Sequence, residues 1–249
     1  MPEVYAIGIG PGATEYLTPQ AAETIEKCTV IAGYRTYLDL IPERLRGKKV
    51  IAGSMREELK RCREALDAAL DGEIVGVVCS GDAGIYGMAG LLLELTELEK
   101  YRSIEVIVVP GVTAATAAAA LAGAPLMNDF AVVSLSDLMT PKDLIQKRLK
   151  LLAEGDFVTA LYNPASSRRR ELLEFAVEVF RKAGGNLPAA LVHHVGRHGQ
   201  RIEFARLDDF PFDTVDMSTL VILGNSKTIL RNGRFYCRRG YREKPDFEL

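Results

Sequence analysis

Three glycine-rich stretches in this 249-residue chain place backbone, rather than side chains, where a ligand could approach. They are Gly8-Ile9-Gly10-Pro11-Gly12-Ala13, Ser80-Gly81-Asp82-Ala83-Gly84-Ile85-Tyr86-Gly87 and Pro110-Gly111-Val112-Thr113-Ala114. Glycine permits backbone shapes and close approaches that a Cβ would block. The second stretch carries one carboxylate, Asp82, which either shapes a ligand site or only orients its turn. His193, His194 and His198 could move protons, and His194 with His198 invites a metal, although histidines at a strand end more often stay neutral and structural. Arg35, Arg168 and Arg197 could grip carboxylates bidentately. Residues 168–170 also read as a solvated helix start, where cations oppose the helix dipole and so favour a nearby anion.

The first stretch satisfies G-x-G-x-x-G/A after an apolar run, so a dinucleotide site has to be considered. Two features oppose it. Pro11 stands where a helix should begin presenting N–H groups to a pyrophosphate, and Ala32-Gly33-Tyr34 occupies the place of the expected acidic residue. No phosphate-binding G-x-x-x-x-G-K-[ST] occurs. Cys28, Cys62, Cys79 and Cys237 are scattered without a C-x-x-C pair, which predicts buried or incidental thiols and no metal or disulfide framework.

The elements that must position these residues alternate. Residues 74–79 form a short β-branched run, expected as a strand covered on both faces, with helix resuming near Met88. Residues 3–8 read as the first strand. Thr18 then caps a helix with Pro19 at its first position, running to about Cys28. Strands follow at 30–32, 49–52 and 104–109, with residues 33–37 as a polar, aromatic turn. Residues 56–70 form a helix with Leu59, Cys62, Leu66 and Leu70 as its apolar stripe, and residues 114–122 are an alanine-rich helix suited to close packing. Residues 123–128 look like an interdomain connection. Beyond it come strand 130–135, helix 141–154, strand 157–162, helix 168–183 and strands at 189–194, 201–205, 219–223 and 234–237. The pattern predicts an α/β chain with an N-terminal domain over 1–125 and a C-terminal domain over 126–249, the second with added antiparallel strands.

Composition sets outer bounds. The chain is 48% hydrophobic and 26% charged with a net charge of −2, so no global basic field draws it to nucleic acid. No apolar run is long enough to span a membrane and no leader pattern is visible; the expectation is a soluble, cytoplasmic protein without nucleic-acid or membrane partners.

The three glycine stretches, with Leu17-Thr18 after the first, together resemble the tetrapyrrole (corrin and porphyrin) methylases, and the resemblance covers essentially the whole chain. It implies a cleft between two α/β domains that holds S-adenosylmethionine, in a fold that is not the Rossmann-type methyltransferase fold. Further segments resemble the branch that methylates C17 of precorrin-3B, with its cobalt-factor III counterpart, in cobalamin biosynthesis. They are Gly33-Tyr34-Arg35-Thr36-Tyr37, Leu161-Tyr162-Asn163-Pro164 with Ser167-Arg168, Val195-Gly196-Arg197 with Gly199-Gln200, and residues 218–226. One departure is Ala83 where the family usually has proline; a small residue keeps that loop compact.

By this resemblance, cofactor contacts fall on Pro11, Gly81, Asp82, Ile85, Thr113, Ala114, Asn163 and the backbone near Val195, with S-adenosylhomocysteine as the product. The substrate is a tetrapyrrole rich in carboxylates, which gives Arg35, Arg168 and Arg197 a use. Methyl transfer to a ring carbon needs mainly alignment. The ring contraction of this branch, in which C20 is extruded, calls for acid–base help; His193, His194 and Tyr34 are the candidates, with His198, Asp129 and Asp137 behind them. A homodimer is the family expectation, and no iron–sulfur cluster is expected. The rivals are a sibling corrinoid C-methyltransferase, a non-catalytic S-adenosylmethionine- or tetrapyrrole-binding protein, a dinucleotide oxidoreductase, and a methylase of modified elongation factor.

Overall fold

The computed structural model describes residues 1–54, 56–165, 170–244 and 246–247. Contacts divide the chain into two units, Met1–Ala114 and Ala115–Leu249.

The first unit is built on a five-stranded sheet. Its elements are β1 (Glu3–Gly8), α1 (Pro19–Lys27), β2 (Val30–Tyr34), α2 (Arg35–Leu38), β3 (Lys49–Gly53), α3 (Glu58–Leu70), β4 (Val75–Cys79), α4 (Ala89–Thr96) and β5 (Glu105–Val109). The strand order is β3-β2-β4-β1-β5, and every pairing is parallel. β4 is central and buried along its whole length, as its unbroken apolar run requires. Alternation divides the core: Val75, Val77 and Cys79 pack with α3 and α4, while Val78, Ile7 and Ile31 pack with Ala21 and Ile25 of α1. Thr18 Oγ1 accepts from Ala21 N at 3.1 Å, with Pro19 in the first turn, so α1 starts where the capping residues require.

In the second unit α5 (Ala114–Ala122) leads into β6 (Gly123–Ala124), then β7 (Phe130–Ser134), α6 (Lys142–Glu154), β8 (Val158–Tyr162), α7 (Glu171–Gly184), β9 (Pro188–His193), β10 (Arg201–Arg206), β11 (Thr219–Leu223), β12 (Thr228–Arg231) and β13 (Arg234–Cys237). The main sheet runs β10-β9-β11-β8-β7, and β12-β13-β6 form a separate three-stranded sheet. β7 and β8 are parallel, whereas β11 is antiparallel to β8 and β9 and β10 is antiparallel to β9. Ile145 and Leu149 of α6 and Leu173, Ala176 and Phe180 of α7 share a core with Leu161, Leu191 and Val221 of the sheet. The antiparallel strands expected in the last third are present.

Several local expectations change. Residues 123–128 do not serve only as a connection: Gly123 and Ala124 pair in parallel with Phe235 and Tyr236. Only glycine fits there, since a Cβ on Gly123 would lie 2.4 Å from the Phe235 carbonyl oxygen. This pairing ties the segment after α5 to the second unit, and the division by contacts falls at 114/115 rather than at 125/126. The turn expected at 33–37 is instead the end of β2 followed by α2. On α3 the buried side is Arg61, Cys62, Ala65, Leu66, Ala68 and Ala69, whereas Leu59 and Leu70 are exposed. α7 begins at Glu171; residues 166–169 lie outside the described residues. Glu171 and Glu174 suit that helix's first turn, and Arg170 at its start pairs with Asp213 at 2.7 Å.

Gly76 is the second residue of β4, where a Cβ would meet Ile31 Cδ1 at 2.9 Å and Cys28 Sγ and Ile7 Cδ1 at 3.0 Å each. Gly76→Ala is expected to overpack the α1 face and destabilise the protein by about 1–3 kcal/mol. Urea unfolding should show a lower midpoint with an unchanged slope.

Candidate active site

The three glycine stretches follow β1, β4 and β5, so all leave the carboxyl edge of one parallel sheet. From β1 the chain crosses to β2 through α1 on one face; from β4 it crosses to β5 through α4 on the other. Adjacent strands whose connections depart to opposite faces define a topological switch point, the favoured ligand position of open α/β sheets. At this point the loops are joined backbone to backbone. Gly81 N donates to Gly10 O at 2.7 Å and Gly10 N to Gly81 O at 3.1 Å, with both glycines at positive φ, +76° and +72°.

The third loop docks on the other two. A Cβ on Gly111 would lie 2.2 Å from Gly81 O, and one on Gly8 would lie 2.7 Å from Gly111 N. Asp82 fixes this packing: its Oδ1 accepts from Gly84 N at 2.8 Å and its Oδ2 from Gly111 N at 2.9 Å. Gly81 also places Thr113 Cα and Ala114 N within 3.7–3.8 Å of where a side chain would begin. Beyond Asp82 the loop turns outward through exposed Ile85 and Tyr86, and Tyr86 adopts φ +55°, unusual for a bulky side chain. Cys79, at the end of β4, accepts from Met88 N at 3.3 Å; burial pushes its thiol up to about 11.

The second unit assembles its own edge. β7, β8 and β9 end on the same side of their sheet, as the pairings with β11 require. Asn163, at φ +52°, donates through Nδ2 to Ser134 Oγ at 2.9 Å. Tyr162 Oη accepts from Ala115 N at 2.8 Å and so satisfies a free donor at the start of α5. His193 is 1% exposed, with Nδ1 3.0 Å from Thr219 Oγ1 and Nε2 3.6 Å from Glu203 Oε2. Burial, reinforced by the Arg201 cation, holds its pKa below the ordinary histidine value, against the pull of Glu203 and Asp216. His194 is partly exposed at φ +49°, where its N donates to Ser218 O at 3.0 Å. The turn that follows buries Val195 and is closed by Gly196 N donating to Gln200 Oε1 at 2.7 Å.

Of the residues expected to act, the first unit therefore brings together Pro11, Gly81, Asp82, Thr113 and Ala114, with Ile85 on the outer limb of the loop. The second unit places Asn163, His193, His194, Val195 and Arg197 along one sheet edge. Tyr34 ends β2 as the N-cap of α2 and meets Tyr37 edge to face, with centroids 5.1 Å apart; Arg35 beside it is exposed. Arg168 lies outside the described residues. Missing from the sequence reading were the Gly10–Gly81 pairing, the docking of Gly111 on Asp82, and Tyr162 as a cap for α5. The spacing of glycines after three strands was the available signal for the first two.

Backbone amides and a hydroxyl as donors, with carbonyls and a carboxylate as acceptors, gather on these small-residue loops. A dinucleotide is poorly served, because Gly10 already spends its N–H and C=O on Gly81. The fold and site thus define an α/β protein with a three-loop junction at the switch point of a parallel sheet. Residues 3–211 match the family model of Tetrapyrrole (Corrin/Porphyrin) Methylases, and the chain belongs to that family.

The chain is 43% identical over 97% of its length to "Cobalamin biosynthesis protein CbiHC" of Archaeoglobus fulgidus, and it spans only 53% of that protein. It is 42% identical to "Probable cobalt-factor III C(17)-methyltransferase" of Salmonella typhimurium, over 94% of this chain and 98% of the Salmonella protein. The crystal structure of the methyltransferase CobJ superposes with a TM-score of 0.88 at 35% identity, covering 95% of this chain and 98% of that one.

Asp82→Asn is expected to turn an amide N–H₂ toward one of the two backbone donors and leave it unsatisfied, at about 1–3 kcal/mol. Thermal unfolding of Asp82→Asn should show a lower midpoint than that of the native protein.

His193 sets a pH dependence of stability. Because its folded pKa is depressed, the unfolded chain takes up a proton that the folded chain refuses as pH drops below about 6.5. Its stabilising contribution is therefore complete above that pH and declines below it. Urea midpoints should fall between pH 7.5 and 5.5 in the native protein, and fall less in His193→Gln.

Proposed function

We propose that this chain is an S-adenosylmethionine-dependent C-methyltransferase of cobalamin biosynthesis that methylates C17 of cobalt-factor III or precorrin-3B, with contraction of the ring. The end-to-end match to the Salmonella protein carries this reading, and the three-loop junction supports it from the geometry. S-adenosylmethionine, when bound, supplies a methyl group on an activated sulfonium.

The chain's own residues provide rigidity and placement. Gly10, Gly81 and Gly111 fix three loops against one another, so Pro11, Asp82, Ile85, Thr113 and Ala114 present backbone and small side chains to the cofactor. Asn163 and the backbone near Val195 keep the cofactor role that the motif resemblance gives them. Alignment of a ring carbon with the methyl group is then the main contribution of the protein. Proton movement during contraction falls to His194 or Tyr34, which reach solvent, rather than to His193, whose ring is sealed against Thr219. Arg35 and Arg197 serve the peripheral carboxylates of the macrocycle.

The test is a paired anaerobic assay with S-adenosylmethionine, offering cobalt-factor III and precorrin-3B separately and read by absorption and mass spectrometry. The expected result is a mass gain of one methyl group on one or both, with the spectral change of a contracted ring. Turnover of neither, alongside measurable S-adenosylhomocysteine binding, would overturn the C17 assignment.

A further inference from the structure

Arg61 is the anomaly of the first unit. It lies in the first turn of α3 and is only 4% exposed. Its Nε is buried without a hydrogen-bond partner, and its side chain's one hydrogen bond among the described residues is a long contact from Nη1 to Ser54 O at 3.4 Å. No carboxylate of the described residues comes within ion-pair distance of it, although its charge reaches Glu57 just before the helix. The fold nonetheless makes room for this guanidinium: a Cβ on Gly53, at the end of β3, would lie 2.5 Å from Nη1. Desolvating a cation without a directly paired carboxylate is strongly unfavourable, and an apolar side chain of similar length would fill the same space at no such cost.

The position supplies the reason. Gly53 pairs with Tyr34 at the carboxyl end of β2, so Arg61 stands at the same sheet edge as Asp82, Tyr34 and Arg35. Its charge is felt by the Cys79 thiol, the last residue of β4 before the ligand loop. A guanidinium with an unpartnered Nε–H beside a second nitrogen offers the planar fork that a carboxylate accepts in two parallel hydrogen bonds. We propose that Arg61 is a substrate-positioning residue that takes one peripheral carboxylate of the tetrapyrrole and completes its missing ion pair only when substrate is bound. The inference rests on the methyltransferase reading for the identity of the anion; the presence of a carboxylate site does not.

The experiment compares native protein with Arg61→Met and Arg61→Lys. For whichever tetrapyrrole the native enzyme turns over, Arg61→Met should raise KM ten- to a hundredfold with kcat changed less than threefold. S-adenosylhomocysteine affinity should be unchanged, and the unliganded melting temperature equal or higher, since a buried unpaired charge has been removed. Arg61→Lys should fall between in KM. Independently of turnover, the small tricarboxylate tricarballylate should raise the melting temperature of native protein and not that of Arg61→Met, so the anion site is tested even if the C17 assignment fails. An unchanged KM in either variant, or no tricarballylate shift in native protein, would overturn the proposal. So would a lower melting temperature of Arg61→Met with parallel loss of S-adenosylhomocysteine binding, the mark of a purely structural arginine.

Discussion

The arrangement of the first unit depends on one carboxylate accepting from two backbone donors. Asp82 bonds Gly84 N within its own loop and Gly111 N in the loop after β5, and so couples the turn's internal shape to the position of its neighbour. Hydrogen bonds to a carboxylate are stronger than those to a neutral acceptor, and here two of them converge where three loops meet and a Cβ on Gly8 or Gly111 would clash. Without them, the 2.2 Å approach between the position of a Gly111 Cβ and Gly81 O would be only a vacancy. With them it becomes a fixed contact. The glycines permit the junction and the aspartate selects it.

The second unit solves a related problem by different means. Its carboxyl edge is held by side chains: Tyr162 on the Ala115 N–H in the first turn of α5, Asn163 on Ser134, and His193 on Thr219. Asn163 and His194 both hold left-handed backbone there, and strain of this kind concentrates at functional sites because the surrounding structure must over-determine it. Sealing His193 inside the sheet has a chemical consequence as well. A neutral imidazole bonded to a hydroxyl holds the end of β9 in place, and the next residue, His194, turns back toward solvent.

Much of this was legible in the sequence, for identifiable reasons. The parallel sheet followed from short β-branched runs alternating with helical stripes, and the start of α1 followed from Thr18-Pro19, because both are local signals. The glycine stretches marked the ligand edge because close backbone approach admits no other residue. What the sequence could not show was how the loops pair: mutual hydrogen bonds between Gly10 and Gly81, 71 positions apart, leave no local trace. Arg61 was hidden for the opposite reason. Its charge reads as a solvated helix face, and only the absent side chain of Gly53, on another element, reveals that it is buried. β6 escaped because two residues carry no periodicity, and their pairing partner lies more than a hundred residues away.

The cysteines bear on the proposed chemistry from an unexpected side. An electrophilic methyl group will alkylate a thiolate more readily than a ring carbon, so a thiol beside the ligand loops is a competitor whenever it ionises. Cys79 occupies that position, one residue before the Ser80-Gly81-Asp82 turn. Burial keeps its thiol at about 11, despite the nearby Arg61 cation and the Met88 N–H, both of which favour the thiolate. Cys28 and Cys62, under the same sheet, are pushed up to about 11 and about 12. At neutral pH all three therefore behave as small apolar side chains that accept or fill, and not as nucleophiles. The core that supports the junction thus also keeps the Cys79 sulfur at the end of β4 in its protonated, unreactive form.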